Sequence, residues 1–376
     1  MHILVVNSDS ETRQYLHQLL SAEEYPITLW EEDPHAIDFT QFNEPLLIVG
    51  DGKQVAATGC LSTWQALRVK SDAPPIFCLM LISFDSLTSF LPMLSAGADD
   101  WLITPFDPIE LRARVLAGRQ VLHLRRELQA QKEQLKTELS EAEAYVRSLL
   151  PKDITQKVPI NARFIPSSSL GGDCYDFYWL DPDYLVFYLL DVSGHGLGSA
   201  LLSTSVLNML RSQALPDVSF YRPEKVLQAL NDTFQMNDQN EKYFTMWYGV
   251  YNRANRQLMY ASAGHPPAVL ISRQGHHPHT VKPLKTPGLP IGMLPDIKYR
   301  WQRCEIPPDS RLYLFSDGVY EIKQWDDTMM HLDDFIKILS AHDMAGSVDD
   351  ILEKVNRRTQ DRTFSDDLSL LEVCLD

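Results

Sequence analysis

The chain is poor in the features that tie a protein to an oxidising compartment, a bilayer or nucleic acid. Its five cysteines (Cys60, Cys78, Cys174, Cys304 and Cys374) are scattered, odd in number and form no CxxC pair. That pattern excludes a disulfide framework and a zinc site and fits reduced thiols, so a cytoplasmic location is expected. Nowhere do about 18 apolar residues run uninterrupted, so no membrane span is expected. The opening stretch, MHILVVNSDSE, lacks a basic region and a small-residue cleavage site and reads as a strand rather than a signal peptide. Cations are in deficit: 34 Lys and Arg stand against 50 Asp and Glu, a formal charge of −16, which argues against nucleic acid as a partner. Apolar material is not scarce. A hydrophobic fraction of 44% in 376 residues suits a globular chain of two domains, or three at most.

The stretch Leu185–Ser199, LVFYLLDVSGHGLGS, is the most informative. Leu185–Leu190 and Val192 form the apolar run of a buried strand, interrupted by one carboxylate, Asp191. A turn, Gly194-His195-Gly196-Leu197-Gly198, follows, and Ala200–Arg211 reads as a helix. A carboxylate at the end of a buried strand is costly unless a cation or donor compensates it. Glycines let backbone carbonyls and amides approach a ligand. The arrangement suits a metal ion or phosphate; taken alone, it also suits an ordinary strand-to-helix turn with a capping Asp.

Residues 1–117 alternate strands and helices. Ile3–Val6, Leu46–Val49 and Ile76–Ile82 read as buried strands, and Glu11–Leu20 as a helix behind the capping sequence Ser8-Asp9-Ser10. Such alternation predicts an α/β parallel sheet. The stretch Ala96-Gly97-Ala98-Asp99-Asp100-Trp101-Leu102-Ile103-Thr104-Pro105-Phe106, with Glu110-Leu111-Arg112-Ala113-Arg114-Val115, resembles the last strand and helix of response-regulator receiver domains. The resemblance implies an Asp phosphorylated with the help of Mg²⁺, an acidic pair and a Lys. Here the acidic pair falls on Asn7 and Ser8, the Lys position is Thr104, and Ser83 matches the Ser/Thr switch position. The phosphoacceptor falls on Asp51 or, one residue earlier, Gly50. Without the pair a hard cation finds too few charged oxygens, and without the Lys no ammonium neutralises the phosphoryl charge. The expectation is a pseudo-receiver; the alternative is a shifted pocket built from Asp9 and Asp51.

Residues 118–150 read as a connecting helix. Val121, Leu124, Leu128, Leu135, Leu139, Ala142, Val146 and Leu149 follow a heptad seam with one shift of phase near Leu135–Leu139. Neither Pro nor Gly occurs between Arg119 and Leu150, and Pro151 ends the helix. A parallel coiled-coil homodimer is expected through this segment, with a single helix packed along its own domain as the alternative.

Residues 151–376 read as one strand-rich domain. The strands are expected at Leu185–Leu190, Thr245–Tyr251, Gln257–Ser262, Ala268–Ser272, Arg311–Phe315 and Leu368–Cys374. Helices are expected at Ala200–Arg211, Pro223–Gln235, Leu332–Ala341 and Val348–Thr359. The pattern predicts an α+β two-sheet sandwich flanked by helices. Four acids stand beside apolar strands or glycines: Asp173 in Gly171-Gly172-Asp173-Cys174-Tyr175-Asp176, Asp191, Asp317 in Ser316-Asp317-Gly318-Val319-Tyr320-Glu321, and Asp366 in Asp366-Asp367-Leu368-Ser369-Leu370. Converging, they would supply the hard oxygens that Mg²⁺ or Mn²⁺ require.

Gly-Gly-Asp-x-Tyr-Asp, Asp-Val-Ser-Gly-His-Gly, Ala263-Gly264-His265-Pro266-Pro267, Ser-Asp-Gly-Val-x-Glu and Asp-Asp-Leu-Ser-Leu follow in the order of the PPM metal-dependent serine/threonine phosphatases. The chain resembles their bacterial branch, typified by the sporulation phosphatase SpoIIE. The resemblance implies two metal ions, Mn²⁺ or Mg²⁺, with Asp191 bridging them, the Val192 carbonyl as a further ligand, and Asp173, Asp317 and Asp366 completing the catalytic site. It implies direct attack of metal-activated water on phosphoserine or phosphothreonine of a partner protein, an anti-sigma-factor antagonist. The alternative is a non-catalytic adaptor like the sigma-factor adaptor RssB, which uses the phosphatase fold as a docking surface. His195 is a candidate general acid or, more simply, an organiser of the turn; His265 and Cys174 read as structural, and His276, His277 and His279 as an exposed hairpin loop. Ser167, Ser168 and Ser169 stand where some relatives carry a phosphate-gripping Arg.

Overall fold

The apolar runs become the inner strands of three sheets. The structure, a computed structural model, describes residues 1–21, 25–31, 33–58, 60, 64, 74–83, 97–167, 170–236, 241–272, 280–342, 346–359, 364 and 366–375. The chain divides into two units, Met1–Thr137 and Glu138–Asp376.

In the first unit β1 (His2–Val6), β2 (Ile27–Trp30), β3 (Leu46–Asp51), β4 (Ile76–Ser83) and β5 (Asp100–Thr104) form a parallel sheet in the order β2-β1-β3-β4-β5. This is the flavodoxin-like doubly wound order that receivers share. Its central strands are apolar throughout because both faces are covered. Ile3 and Val5 pack with Leu16 and Leu20 of helix α1 (Ser10–Leu20). Leu4 and Val6 face the opposite core with Val55 of α2 (Gly52–Thr58) and Trp64. Helix α3 runs unbroken from Pro108 to Leu149, so the last helix of the receiver-like unit and the connecting segment are one element. Its glycine, Gly118, sits where a Cβ would come 2.8 Å from the Phe77 ring and 2.9 Å from Leu47. Leu111, Val115 and Leu122 are buried, whereas Leu124, Leu128 and Leu135 are exposed by 63%, 67% and 56%. The heptad seam therefore stays largely uncovered along its middle.

The second unit contains β6 (Ile160–Ile165), β7 (Cys174–Trp179), β8 (Tyr184–Val192), β9 (Phe244–Asn252), β10 (Gln257–Ala263), β11 (Ala268–Ser272), β12 (Thr280–Leu284), β13 (Trp301–Glu305), β14 (Ser310–Phe315) and β15 (Leu368–Leu375). They form two antiparallel sheets, ordered β13-β10-β9-β8-β7 and β12-β11-β14-β15-β6. Alternation along each strand separates the layers. On β8, Leu185, Phe187 and Leu189 point into the core between the sheets. Val186, Tyr188, Leu190 and Val192 point outward, against α4 (Leu197–Arg211) and α5 (Pro223–Thr233). On the other sheet, Leu312, Leu314, Leu371 and Val373 face inward. Tyr313, Phe315, Leu368 and Leu370 face α6 (Leu332–Ser340) and α7 (Val348–Asn356). The strands foreseen from apolar runs lie within two residues of their observed ends. The five not foreseen, β2, β6, β7, β12 and β13, are all edge strands, which are paired on one side only and need no continuous apolar run.

Candidate metal centre

Strand parity carries the core pattern into the site. Asp191 continues the inward series Leu185, Phe187, Leu189. Cys174 pairs with Leu190, so Asp173 falls in the next register position, opposite Asp191. On the facing sheet Ser316 follows the inward Leu314, and Ser369 and Asp367 precede the inward Leu371, with Phe315 paired to Leu370. One end of the space between the sheets is thus lined with oxygen where the rest is lined with carbon. Asp173, Ser316, Asp367 and Ser369 are buried there, Asp191 and Asp317 are half-buried, and Asp366 is exposed.

The electrostatics of these acids are unusual. Burial pushes the Asp173 carboxyl well above the ordinary carboxylate range, and Asp191 pushes it further. Both Asp173 oxygens are buried without a hydrogen bond of normal geometry; the nearby Ser316 and Ser369 hydroxyls offset the burial only in part. Asp191 is raised to about 8, by burial first and then by repulsion from Asp317, Asp366, Asp367 and Glu321. Asp317 is raised to about 6 by burial, Asp366 and Glu321. Acids that repel one another in a buried place hold protons or a cation. A divalent cation fits the orphaned oxygens of Asp173 and the hard donor set around it, although no three acid, His or Cys side chains among the described residues stand as a finished ligand set.

Glycines allow the motifs to approach. A Cβ on Gly172 would stand 2.7 Å from the Val192 carbonyl oxygen, and one on Gly318 would stand 2.1 Å from the Asp367 carbonyl oxygen. Gly194 and Gly196 adopt φ of 73° and 90°, the left-handed region that favours glycine. Lys242 holds this turn: its ammonium donates to the Ser193 carbonyl (3.2 Å) and the Ser199 hydroxyl (2.9 Å). His195, a candidate general acid or turn organiser, is exposed. His265 is buried, is hydrogen-bonded through Nδ1 to the Thr245 hydroxyl at 2.7 Å, and is pushed down to about 3 by burial. Cys174 is buried in the core, as a packing residue should be. His276, His277, His279, Ser168 and Ser169 lie outside the described residues. Sequence reading passed over Glu321, which adds charge to the site, and Lys242; the first is visible in its motif, whereas the second is brought in by the chain returning before β9.

The receiver-like unit arranges its acids differently. Asn7 is buried and accepts the Asp9 N–H (2.8 Å) through its side chain and an Arg13 N–H (2.6 Å) through its carbonyl. Asp9 caps α1 by accepting the Thr12 N–H at 2.9 Å and the Thr12 hydroxyl. Asp51 accepts the Lys53 and Gln54 N–H groups at 2.7 and 3.2 Å. Thr104 donates its hydroxyl to the Ile82 carbonyl at 3.4 Å, and Ser83 closes β4.

Two antiparallel sheets with paired helices outside and acids at one end define a PP2C-type phosphatase fold. The chain matches the family model of stage II sporulation protein E over residues 181–376 and belongs to the SpoIIE family. Among its relatives are two from Bacillus subtilis (strain 168). The phosphoserine phosphatase RsbP is 32% identical over 180 residues, covering 46% of this chain and 42% of RsbP. The phosphoserine phosphatase RsbU is 28% identical over 244 residues, covering 64% of this chain and 70% of RsbU. The chain therefore spans less than half of the first relative's length. The solved SiaA-PP2C domain of Pseudomonas aeruginosa superposes with a TM-score of 0.54 at 20% identity, over 66% of this chain and 99% of that domain. Phosphatases of the SpoIIE family depend on metal.

Proposed function

We propose that the chain is a metal-dependent protein phosphatase that hydrolyses phosphoserine or phosphothreonine on a partner protein, an anti-sigma-factor antagonist. The observation that carries this is the buried Asp173 carboxylate, with both oxygens unpartnered and Asp191 beside it in register. Asp173, Asp191, Asp317, Asp366 and the Val192 carbonyl would hold two divalent cations, Mn²⁺ or Mg²⁺. When bound, such a pair supplies an acidic water and neutralises phosphoryl charge. The chain's own residues supply the rest. The two sheets bring in acids from opposite sides, Lys242 holds the glycine turn, and buried Ser316 and Ser369 fill the floor with hydroxyls.

Three further readings complete the proposal. Residues 1–117 are a pseudo-receiver, 118–150 a helical linker and 151–376 the phosphatase domain; the regulatory part acts by binding or dimer geometry rather than by phosphorylation of Asp51. The exposed Leu124, Leu128 and Leu135 support a homodimer through 118–150, so Leu124→Glu with Leu128→Glu should convert a dimer to a monomer in analytical ultracentrifugation. Five buried free cysteines support a cytoplasmic protein, and the formal charge of −16 supports the absence of a nucleic-acid partner; among the described residues no helix is long and apolar enough to cross a membrane.

The test of the activity is hydrolysis of an aryl phosphate with and without Mn²⁺, for wild type and Asp191→Ala. Wild type should be Mn²⁺-dependent, and the variant should lose about 1,000-fold, roughly 4 kcal/mol of transition-state stabilisation. Equal rates for the two proteins would return the adaptor reading, which the presence of all four acids disfavours.

A further inference from the structure

We propose that Asp367 is a positioning residue: its carboxylate locks the segment that carries Asp173 and is not itself a metal ligand. The inference rests on the metal-dependent reading above. Asp366 and Asp367 are neighbours with opposite environments. Asp366 is exposed, with one oxygen accepting the Asp367 N–H at 2.8 Å. Asp367 is 3% exposed, and both of its oxygens are engaged. Oδ1 accepts the Ser167 N–H at 2.9 Å and the Ser167 hydroxyl at 3.1 Å; Oδ2 accepts the Gly172 N–H at 2.5 Å. A buried carboxylate is stable only with such donors, and these three come from both ends of the approach to Asp173.

The same residue reaches the facing motif through its backbone. Its carbonyl accepts the Ser316 hydroxyl at 3.1 Å, and that hydroxyl in turn accepts the Ser369 N–H at 2.9 Å. The carboxylate lies against Gly171, where a Cβ would stand 2.5 Å from Oδ2, and the carbonyl lies against Gly318. Leu170, inside the locked segment, accepts the Gly196 N–H at 3.0 Å, which adds the turn after Asp191. One side chain and its own carbonyl thus join the motifs bearing Asp173, Asp191 and Asp317. Both Asp367 oxygens already accept backbone N–H groups, whereas neither Asp173 oxygen does.

The test crosses two readouts over Asp367→Ala, Asp367→Asn, Ser167→Ala and Asp366→Ala in the full chain. Hydrogen exchange in the metal-free protein reports the lock at the Ser167 and Gly172 amides; Mn²⁺ titration by calorimetry reports the metal site. Asp367→Ala should expose both amides and weaken Mn²⁺ binding about tenfold, the scale of a lost outer-shell contact. Turnover should then recover to within about threefold of wild type at saturating Mn²⁺, which general loss of structure does not do. Asp367→Asn keeps one acceptor and should free one amide; Ser167→Ala, which alters no acid, should loosen the Ser167 end alone. Asp366→Ala should lose Mn²⁺ with the amides still protected. Protected amides in Asp367→Ala or Asp367→Asn, or loss of Mn²⁺ in either with the segment intact, would overturn the proposal. If wild type neither binds Mn²⁺ nor hydrolyses the ester, the phosphatase reading fails, while the exchange data still decide the lock.

Discussion

The two units both place acids at the ends of strands, and they treat them in opposite ways. In the receiver-like unit the acids that flank β1, β3 and β5, at either edge of the sheet, each have a donor or cation. Asp9 and Asp51 cap helices, Asp99 pairs with Arg125 at 2.8 Å, and Asp100 pairs with Arg114 at 2.7 Å. The Thr12 hydroxyl and amide hold Asp9 below its ordinary value. In the SpoIIE-type unit Asp191 and Asp317 are pushed up instead, and Asp173 is pushed up too, with no backbone N–H or cation on either oxygen. A satisfied carboxylate is part of the fold; an unsatisfied buried one marks a place where something else binds. Motif spelling alone does not separate the two cases, since both units carry Asp beside Gly.

The sharpest way to break this contrast is a matched pair of substitutions. Asp173→Asn should abolish Mn²⁺-dependent hydrolysis, by about 1,000-fold or more, yet raise the metal-free melting temperature by removing a buried repulsion. Asp9→Ala should leave hydrolysis unchanged and lower the melting temperature slightly through loss of the α1 cap. A metal-free Asp173→Asn protein less stable than wild type would refute the view that this acid is uncompensated.

Gly318→Ala tests the close approach between the facing motifs. Its Cβ would stand 2.1 Å from a backbone carbonyl that cannot rotate away. The substitution should cost about 1–3 kcal/mol in denaturant unfolding and weaken Mn²⁺ binding; Gly50→Ala, beside the flexible Met80 side chain at 3.1 Å, should cost less.

Dependence on pH sharpens the same contrast. Asp191 near 8 and Asp317 near 6 bind protons in the folded state that the unfolded chain has released. Stability of the metal-free protein should therefore fall as pH rises from about 4 to about 8. Added Mn²⁺ should raise the melting temperature more at pH 8 than at pH 5. Asp9 has the opposite sign: its lowered value contributes stability that is present above the unfolded value and lost as pH falls further into acid. A flat difference between the Mn²⁺ and metal-free melting curves across this range would count against a site built from repelling acids.

The smallest effect concerns Asp51. Asp51→Ala should cost about 1 kcal/mol by uncapping α2, and wild type incubated with a small phosphodonor should show no aspartyl phosphate by mass spectrometry. Incorporation at Asp51 would make the receiver-like unit a working one.

Central strands, long helices and the order of the acid motifs were legible because each leaves a local signature. Leu185–Leu190 is an unbroken apolar run, and Val121–Leu149 repeats at steps of three, four and seven residues. The edge strands β2, β6, β7, β12 and β13 were not legible, because a strand paired on one side only needs no continuous apolar face. Nor did the chain's local pattern reveal that α3 begins at Pro108, since a proline opens a helix as readily as it ends one.

By itself, then, the amino-acid order determined which acids, glycines and apolar runs exist and in what succession, since these are properties of neighbours along the chain. Which of two adjacent acids is exposed and which is bound at both oxygens was decided only by folding. Asp366 and Asp367 differ in nothing local; they differ because strand parity turns one toward the space between two sheets, where Ser167 and Gly172, about 200 and 195 residues away in the chain, present their N–H groups.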